Sequence, residues 1–109
     1  MEYLNSHVYT YFLRNGQSVI TPININTYVS HAVLIIYTTF TGSGNYTRAG
    51  IDLIRTGSLE GNIMNVNHVF DDDHSSTGHF SYDYNEESCI RITIGWGPTR
   101  FLIFDVTDY

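Results

Sequence analysis

Ala32-Val33-Leu34-Ile35-Ile36-Tyr37 is the longest apolar run of the chain. It is far too short to span a bilayer, which takes about 20 residues in a helix. β-Branched and aromatic residues dominate it, and Thr38, Thr39 and Thr41 extend it, so it reads as a strand. A strand apolar at every position is apolar on both faces, because successive side chains point opposite ways. Phe101-Leu102-Ile103-Phe104 repeats that pattern near the end of the chain. Antiparallel strands normally bury one face and wet the other, so something must cover the second face. Another subunit is the best candidate in a chain without helices. Loops, or the first strand of the same chain, are the alternative.

Working outward from that run, residues 47–56 alternate, with Ala49, Ile51, Leu53 and Arg55 set against Arg48, Gly50, Asp52 and Ile54. Residues 3–13 place Leu4, Val8 and Phe12 on one face and Tyr3, Asn5, His7, Tyr9 and Tyr11 on the other. Arg14-Asn15-Gly16-Gln17 predicts a hairpin, since Asn-Gly accepts the positive φ angles of a type I′ turn. Residues 18–25 continue as strand, with Pro22 at an edge or a bulge. The doubly apolar run belongs to a strand over 27–41, followed by a Gly42-Ser43-Gly44-Asn45 loop. Further strands are read at 62–70, 78–84, 88–95 and 100–106. No segment sustains a 3.6-residue apolar stripe, and alanine occurs only at positions 32 and 49, so helices are not expected. Turn signals about every ten residues favour a sandwich or barrel. The expected fold is all-β: a single domain over 1–109, an antiparallel two-sheet β-sandwich of jelly-roll type with about eight strands.

Composition narrows the functional classes. Eleven acids against five bases give a formal charge of −6, every base is an arginine, and lysine is absent. Five dispersed cations do not neutralise a run of phosphates, so nucleic acid is not an expected partner. Docking on an anionic membrane is disfavoured by the same deficit, and lysine-based covalent catalysis is excluded. The single cysteine, Cys89, allows no internal disulfide and reads as a small buried apolar residue. The first residues, Met1-Glu2-Tyr3-Leu4-Asn5-Ser6-His7, lack the basic and apolar regions of a signal peptide. Exit from a cell is therefore expected within a larger particle or by lysis.

The densest polar cluster runs from His68 through Asp71-Asp72-Asp73-His74 to His79 and on to Tyr82-Asp83-Tyr84-Asn85-Glu86-Glu87; it holds six of the eleven acids between Asp71 and Glu87. Carboxylates suit calcium, and His with Asp suits zinc. The spacing matches neither an EF-hand loop nor a zinc-hydrolase helix, and consecutive aspartates repel, so a solvated acidic hairpin loop is the plainer reading. No metal or cofactor is expected. Catalytic signatures are missing: there is no Gly-x-Ser-x-Gly elbow, and Gly42-Ser43-Gly44 lacks the Gly-Lys-Ser/Thr ending of a phosphate loop. Paired acids for glycoside hydrolysis would need a deep cleft that so short a chain rarely forms.

Nine tyrosines, six phenylalanines and one tryptophan are the more suggestive feature, since Tyr pairs an apolar ring with a polar tip suited to interfaces and sugar faces. Trp96, between Gly95 and Gly97 and before Pro98, is expected in the turn before the last strand, either as an exposed stacking platform or folded back as a lid. The candidate ligand-binding residues are Trp96, Asp72, His74, His79, Tyr82 and Tyr84.

The stretch from Val33 to Arg55, with its Thr38-Thr39-Phe40-Thr41-Gly42-Ser43-Gly44-Asn45-Tyr46 centre, resembles the tip domains of bacteriophage tail fibres, as does the strand-like ending Phe101-Leu102-Ile103-Phe104-Asp105-Val106-Thr107-Asp108-Tyr109. The resemblance implies a small β-sandwich head that forms a homotrimer, sits on the virion and recognises a host cell-surface glycan or protein during attachment. Such heads follow a fibrous shaft, so it also implies a longer parent fibre. A self-standing carbohydrate-binding module using Trp96 and tyrosines, or a small acidic protein that engages a basic host factor, are the other readings.

Overall fold

Alternation with a period of two organises the whole chain. The computed structural model describes residues 5–25, 30–40, 46–56, 64–73 and 79–108. They form β1 (Asn5–Leu13), β2 (Ser18–Asn24), β3 (Ser30–Phe40), β4 (Tyr46–Thr56), β5 (Met64–Asp73), β6 (His79–Tyr84), β7 (Cys89–Trp96) and β8 (Thr99–Asp108), with no helix among the described residues. One sheet has five strands in the order β1-β8-β3-β4-β5, and the other has three in the order β2-β7-β6. Every pairing is antiparallel. The chain is an all-β, two-sheet sandwich, as the strand pattern predicts. Its outer strands roll up as in a jelly roll, with β1 on β8 in one sheet and β2 on β7 in the other. Its middle is simpler, for β3, β4 and β5 form a meander in the large sheet while β6 returns onto β7.

Odd positions of β3 and β8 and even positions of β7 face inward, which buries Val33, Ile35 and Tyr37, Phe101 and Ile103, and Ile90, Ile92 and Ile94. Ile23, Ile25, Ile54 and Leu13 complete the core. Isoleucine suits this packing, since a β-branched side chain stands well on a pleated surface. Each such residue stabilises the fold by roughly 1.5–3 kcal/mol on burial. Tyr9 and Tyr11 of β1 pack against the same core, while Val8 and Phe12 of the opposite face are exposed. The tyrosine face of the first strand is thus the inner one.

The Asn15-Gly16 turn departs from the expected hairpin. Gly16 has a positive φ of 76° while Asn15 does not, so the turn is not type I′. The amide of Gln17 bonds back to the Arg14 carbonyl at 3.0 Å, but β1 and β2 enter different sheets. The bend is a sandwich corner. Asn15 Oδ1 accepts from the Gly97 amide at 2.6 Å, and Gly16 N donates to the Ile94 carbonyl at 3.0 Å, which ties this corner to the β7–β8 turn. Pro22 lies on the edge strand β2, where the register slips between Ile20 and Asn24; an edge tolerates the missing amide.

A second departure concerns the aspartates. Asp71, Asp72 and Asp73, expected in a solvated loop after a strand ending at residue 70, belong to β5, which runs on through Asp73. Cross-strand pairing with the arginine-bearing β4 accounts for the extension: Arg48 lies opposite Asp73, and it reaches diagonally to Asp71 with two hydrogen bonds. The true hairpin turn is at 85–88. There Asn85 Oδ1 accepts from the amides of Glu87 (3.1 Å) and Cys89 (2.9 Å), leaving Glu86 and Glu87 exposed.

Candidate functional site

The two sheets are unequal in width. At about 4.8 Å per strand, a three-stranded layer leaves part of a five-stranded one without a lid, and the gap opens between the edge strands β5 and β6. There a hollow of about 400 Å³ is lined by Tyr37, Arg48, Val66, His68, His79, Phe80, Ser81 and Tyr82.

β4 supplies its floor. Arg48, Gly50 and Asp52 share the inner face, while Ile51 and Leu53 point outward; the carboxylate of Asp52 is 0% exposed. A buried charge persists only when fully hydrogen-bonded, and Asp52 is bonded on both oxygens. Tyr82 donates its hydroxyl to Oδ2 at 2.5 Å, and His68 Nδ1 lies 2.7 Å from Oδ1. Burial, reinforced by the neighbouring Asp52 charge, pushes the Tyr82 phenol well above the usual tyrosine range, so it stays a donor. With Nδ1 donating to the carboxylate, a neutral His68 ring has Nε2 as its acceptor. The His68 side chain is 70% exposed, so that acceptor is open to a ligand.

A bulge in β5 makes the arrangement possible. His68 pairs with Asp52 and Phe70 with Ile51, leaving Val69 as the extra residue. The bulge re-aims the strand, and His68 and Asp71, three residues apart, both face β4. Arg48 then holds Asp71 in a forked pair, Nε to Oδ1 at 2.9 Å and one terminal nitrogen to Oδ2 at 2.8 Å. That guanidinium holds the Asp71 carboxyl below the usual carboxylate range. It also lies over the rings of Tyr37 (5.4 Å) and Phe80 (5.6 Å).

The back wall is aromatic. Phe80 meets Tyr37, Tyr82 and Phe101 edge-on, at centroid separations of 4.7, 5.6 and 5.2 Å, within the range such pairs favour. Tyr37 lies across its cross-strand partner Gly50. A Cβ there would run into the Tyr37 ring and come within 2.6 Å of the Phe70 carbonyl oxygen, so the site needs glycine. Burial outweighs the opposing pull of Arg48 and pushes the Tyr37 hydroxyl up to about 12.

Of the residues singled out in the sequence, His79 and Tyr82 line the hollow. Trp96 is not among its lining residues; it pairs with His79 in the β6–β7 register. It is the last residue of β7 rather than part of the turn, and at 48% exposure it is not folded back over the core. Tyr84 is exposed at the far end of β6, opposite Ile90, and does not line the hollow. Asp72 lies in β5 opposite Ala49, and His74 falls outside the described residues. Sequence reasoning missed Tyr37, Arg48 and Asp52, and it held His68 and Asp71 in its polar cluster without naming them among the candidate ligand-binding residues. The usable signal was Arg48-x-Gly50-x-Asp52, a polar face repeated along a strand whose other face is apolar.

Among the described residues no group of three His, Cys, Asp or Glu side chains is placed to hold a metal ion. Comparisons with protein-family models, curated proteins and solved structures find no significant match.

Proposed function

We propose that this chain is a non-enzymatic receptor-binding head, of the kind carried at the tip of a phage tail fibre, that recognises a host cell-surface glycan or protein. The observation that supports it is the hollow between the two sheet edges, with its polar groups held in place before any ligand arrives. His68 is fixed by Asp52 and Arg48 by Asp71, and Trp96 is exposed at the end of β7, paired with the lining residue His79. Such a rim offers an acceptor nitrogen, cationic N–H groups and ring faces, which together suit the mixed polar and apolar faces of a sugar. Fixed groups lose little freedom on binding. In this reading the head acts as a homotrimer on the virion, and several weak contacts with a repeated ligand add to a firm hold.

The test is binding of the purified protein to a glycan array and to intact bacterial cells, with Trp96→Ala and His68→Ala alongside. Binding that both substitutions weaken at least tenfold supports the reading. Indifference of the wild-type protein to every glycan and cell counts against it. Binding confined to a basic protein and lost steeply with added salt would favour the acidic host-factor reading instead.

A further inference from the structure

The large sheet has a face that the sandwich does not use. On β3, β4 and β8 the positions that alternate with the buried core are Leu34, Ile36, Ile51, Leu53, Leu102 and Phe104. The register sets them side by side, Ile36 between Leu102 and Ile51, and Leu34 between Phe104 and Leu53. All six are only half-buried, their remaining cover coming from neighbours in the same sheet. The second sheet packs on the opposite face, and the described residues contain no helix to lie over this one. The shortest dimension of the molecule, 19 Å between Cα extremes, fits two twisted layers and leaves no room for a third.

We infer that this outer face is an interface between copies of the chain, with a second copy as its occupant. Area is the first argument. Five strands about 4.8 Å apart, with nine residues of β3 rising about 3.3 Å each, give a footprint of roughly 700 Å². Side chains roughen that footprint, so its accessible area approaches the roughly 800 Å² per partner of a stable interface. Charge is the second. Two copies of a chain with formal charge −6 repel, yet the centre of this face carries no carboxylate position: Asp72, opposite Ala49, and Asp108, opposite Ser30, share the face by register only near the ends of β5 and β8. The other described acids lie on the inner face, on the small sheet and in the 85–88 turn, so the centre of the outer face is where like chains meet without opposing carboxylates.

Sedimentation of the wild-type chain at micromolar concentration should give two or three times the mass of one chain. Ile36→Lys, which puts a cation at the centre of the face, should reduce the assembly to monomer while leaving the circular dichroism of a folded β protein. Thr38→Cys in a Cys89→Ser background keeps the residue size and carries a nitroxide label on the same face. Its spectrum should broaden on assembly, which keeps the inference testable if Ile36→Lys does not fold. A monomeric wild type overturns the inference, as does an assembly unchanged by Ile36→Lys or one in which the label stays unbroadened. The inference concerns this face and not the receptor. A dimer would support it while removing the count of three that the tail-fibre reading needs, so the two fail separately.

Discussion

A single hydrogen atom decides position 50. Glycine there lets the Tyr37 ring lie flat on the strand, and Gly50→Ala forces the ring or the Phe70 carbonyl to move. Overpacking of that kind costs about 1–3 kcal/mol, an expectation checked by chemical denaturation. Asp52 is the other residue on which the site turns. Asp52→Ala leaves the Tyr82 hydroxyl inside the protein without its acceptor and frees His68. Since hydrogen bonds to a charged group contribute about 1.5–3 kcal/mol each, a loss of about 3 kcal/mol is expected, with Asp52→Asn retaining part of it. The titrating groups fix the pH response. Asp71, whose folded pKa is depressed first by its hydrogen bond to Arg48, adds stability above the ordinary carboxylate pKa, and that contribution is lost as pH falls from about 4. The exposed Asp83–Arg91 pair acts in the same direction. Tyr37 works at the other end: its raised value favours the fold up to about pH 10, the unperturbed tyrosine value. That stability is lost as pH climbs through about 12. Thermal midpoints measured across pH should fall at both ends, with Asp71→Asn blunting the acid limb and Tyr37→Phe the alkaline one.

Among the elements, β5 carries the most information per residue. Without its bulge a strict two-residue alternation would put His68 and Asp71 on opposite faces. Deleting Val69 should therefore keep one of the two contacts, Asp52–His68 or Arg48–Asp71, and break the other. The His68 ring resonances in an NMR spectrum, with a stability loss beside them, would read which one survives; retention of both contacts would contradict the bulge. The Asn15-Gly16 corner makes a related point. Its dipeptide is the strongest hairpin signal in the chain, yet β1 and β2 part company because their better partners, β8 and β7, lie in different layers.

At the scale of the molecule, the pairing of the first strand with the last closes the fold. β8 sits between β1 and β3 and contributes Phe101 and Ile103 to the core. Removing residues 99–109 should abolish cooperative unfolding altogether, because β1 loses its only neighbour and β3 one of its two. A truncated chain that still melted in one sharp transition would contradict that expectation. Contacts so distant in sequence must await closure of most of the chain, so slow folding, on a scale of milliseconds to seconds, goes with this topology. Unequal sheets are the other molecular feature. The narrow layer creates the hollow on one side of the large sheet, and no helix among the described residues lies over the other side.

The sequence by itself determined the strand content, the all-β class, the approximate place of each strand and the presence of two strands with apolar residues on both faces. Those are local properties, set by β-branched and aromatic side chains, turn residues and a period of two. His79, Tyr82 and Trp96 were legible as candidates because aromatic and imidazole groups near turns stand out in a chain so poor in charge. Only the tertiary structure decided which face of β4 is inside, that Asp52 is buried, and that Arg48, His68 and Asp71 converge on it and on Tyr37. The reason is physical. On β4 the outward positions Ala49, Ile51 and Leu53 are more apolar than the inward Arg48, Gly50 and Asp52, so hydrophobicity alone points to the wrong face; register, one bulged residue and a mismatch in sheet width choose it instead, and these exist only when distant strands pair.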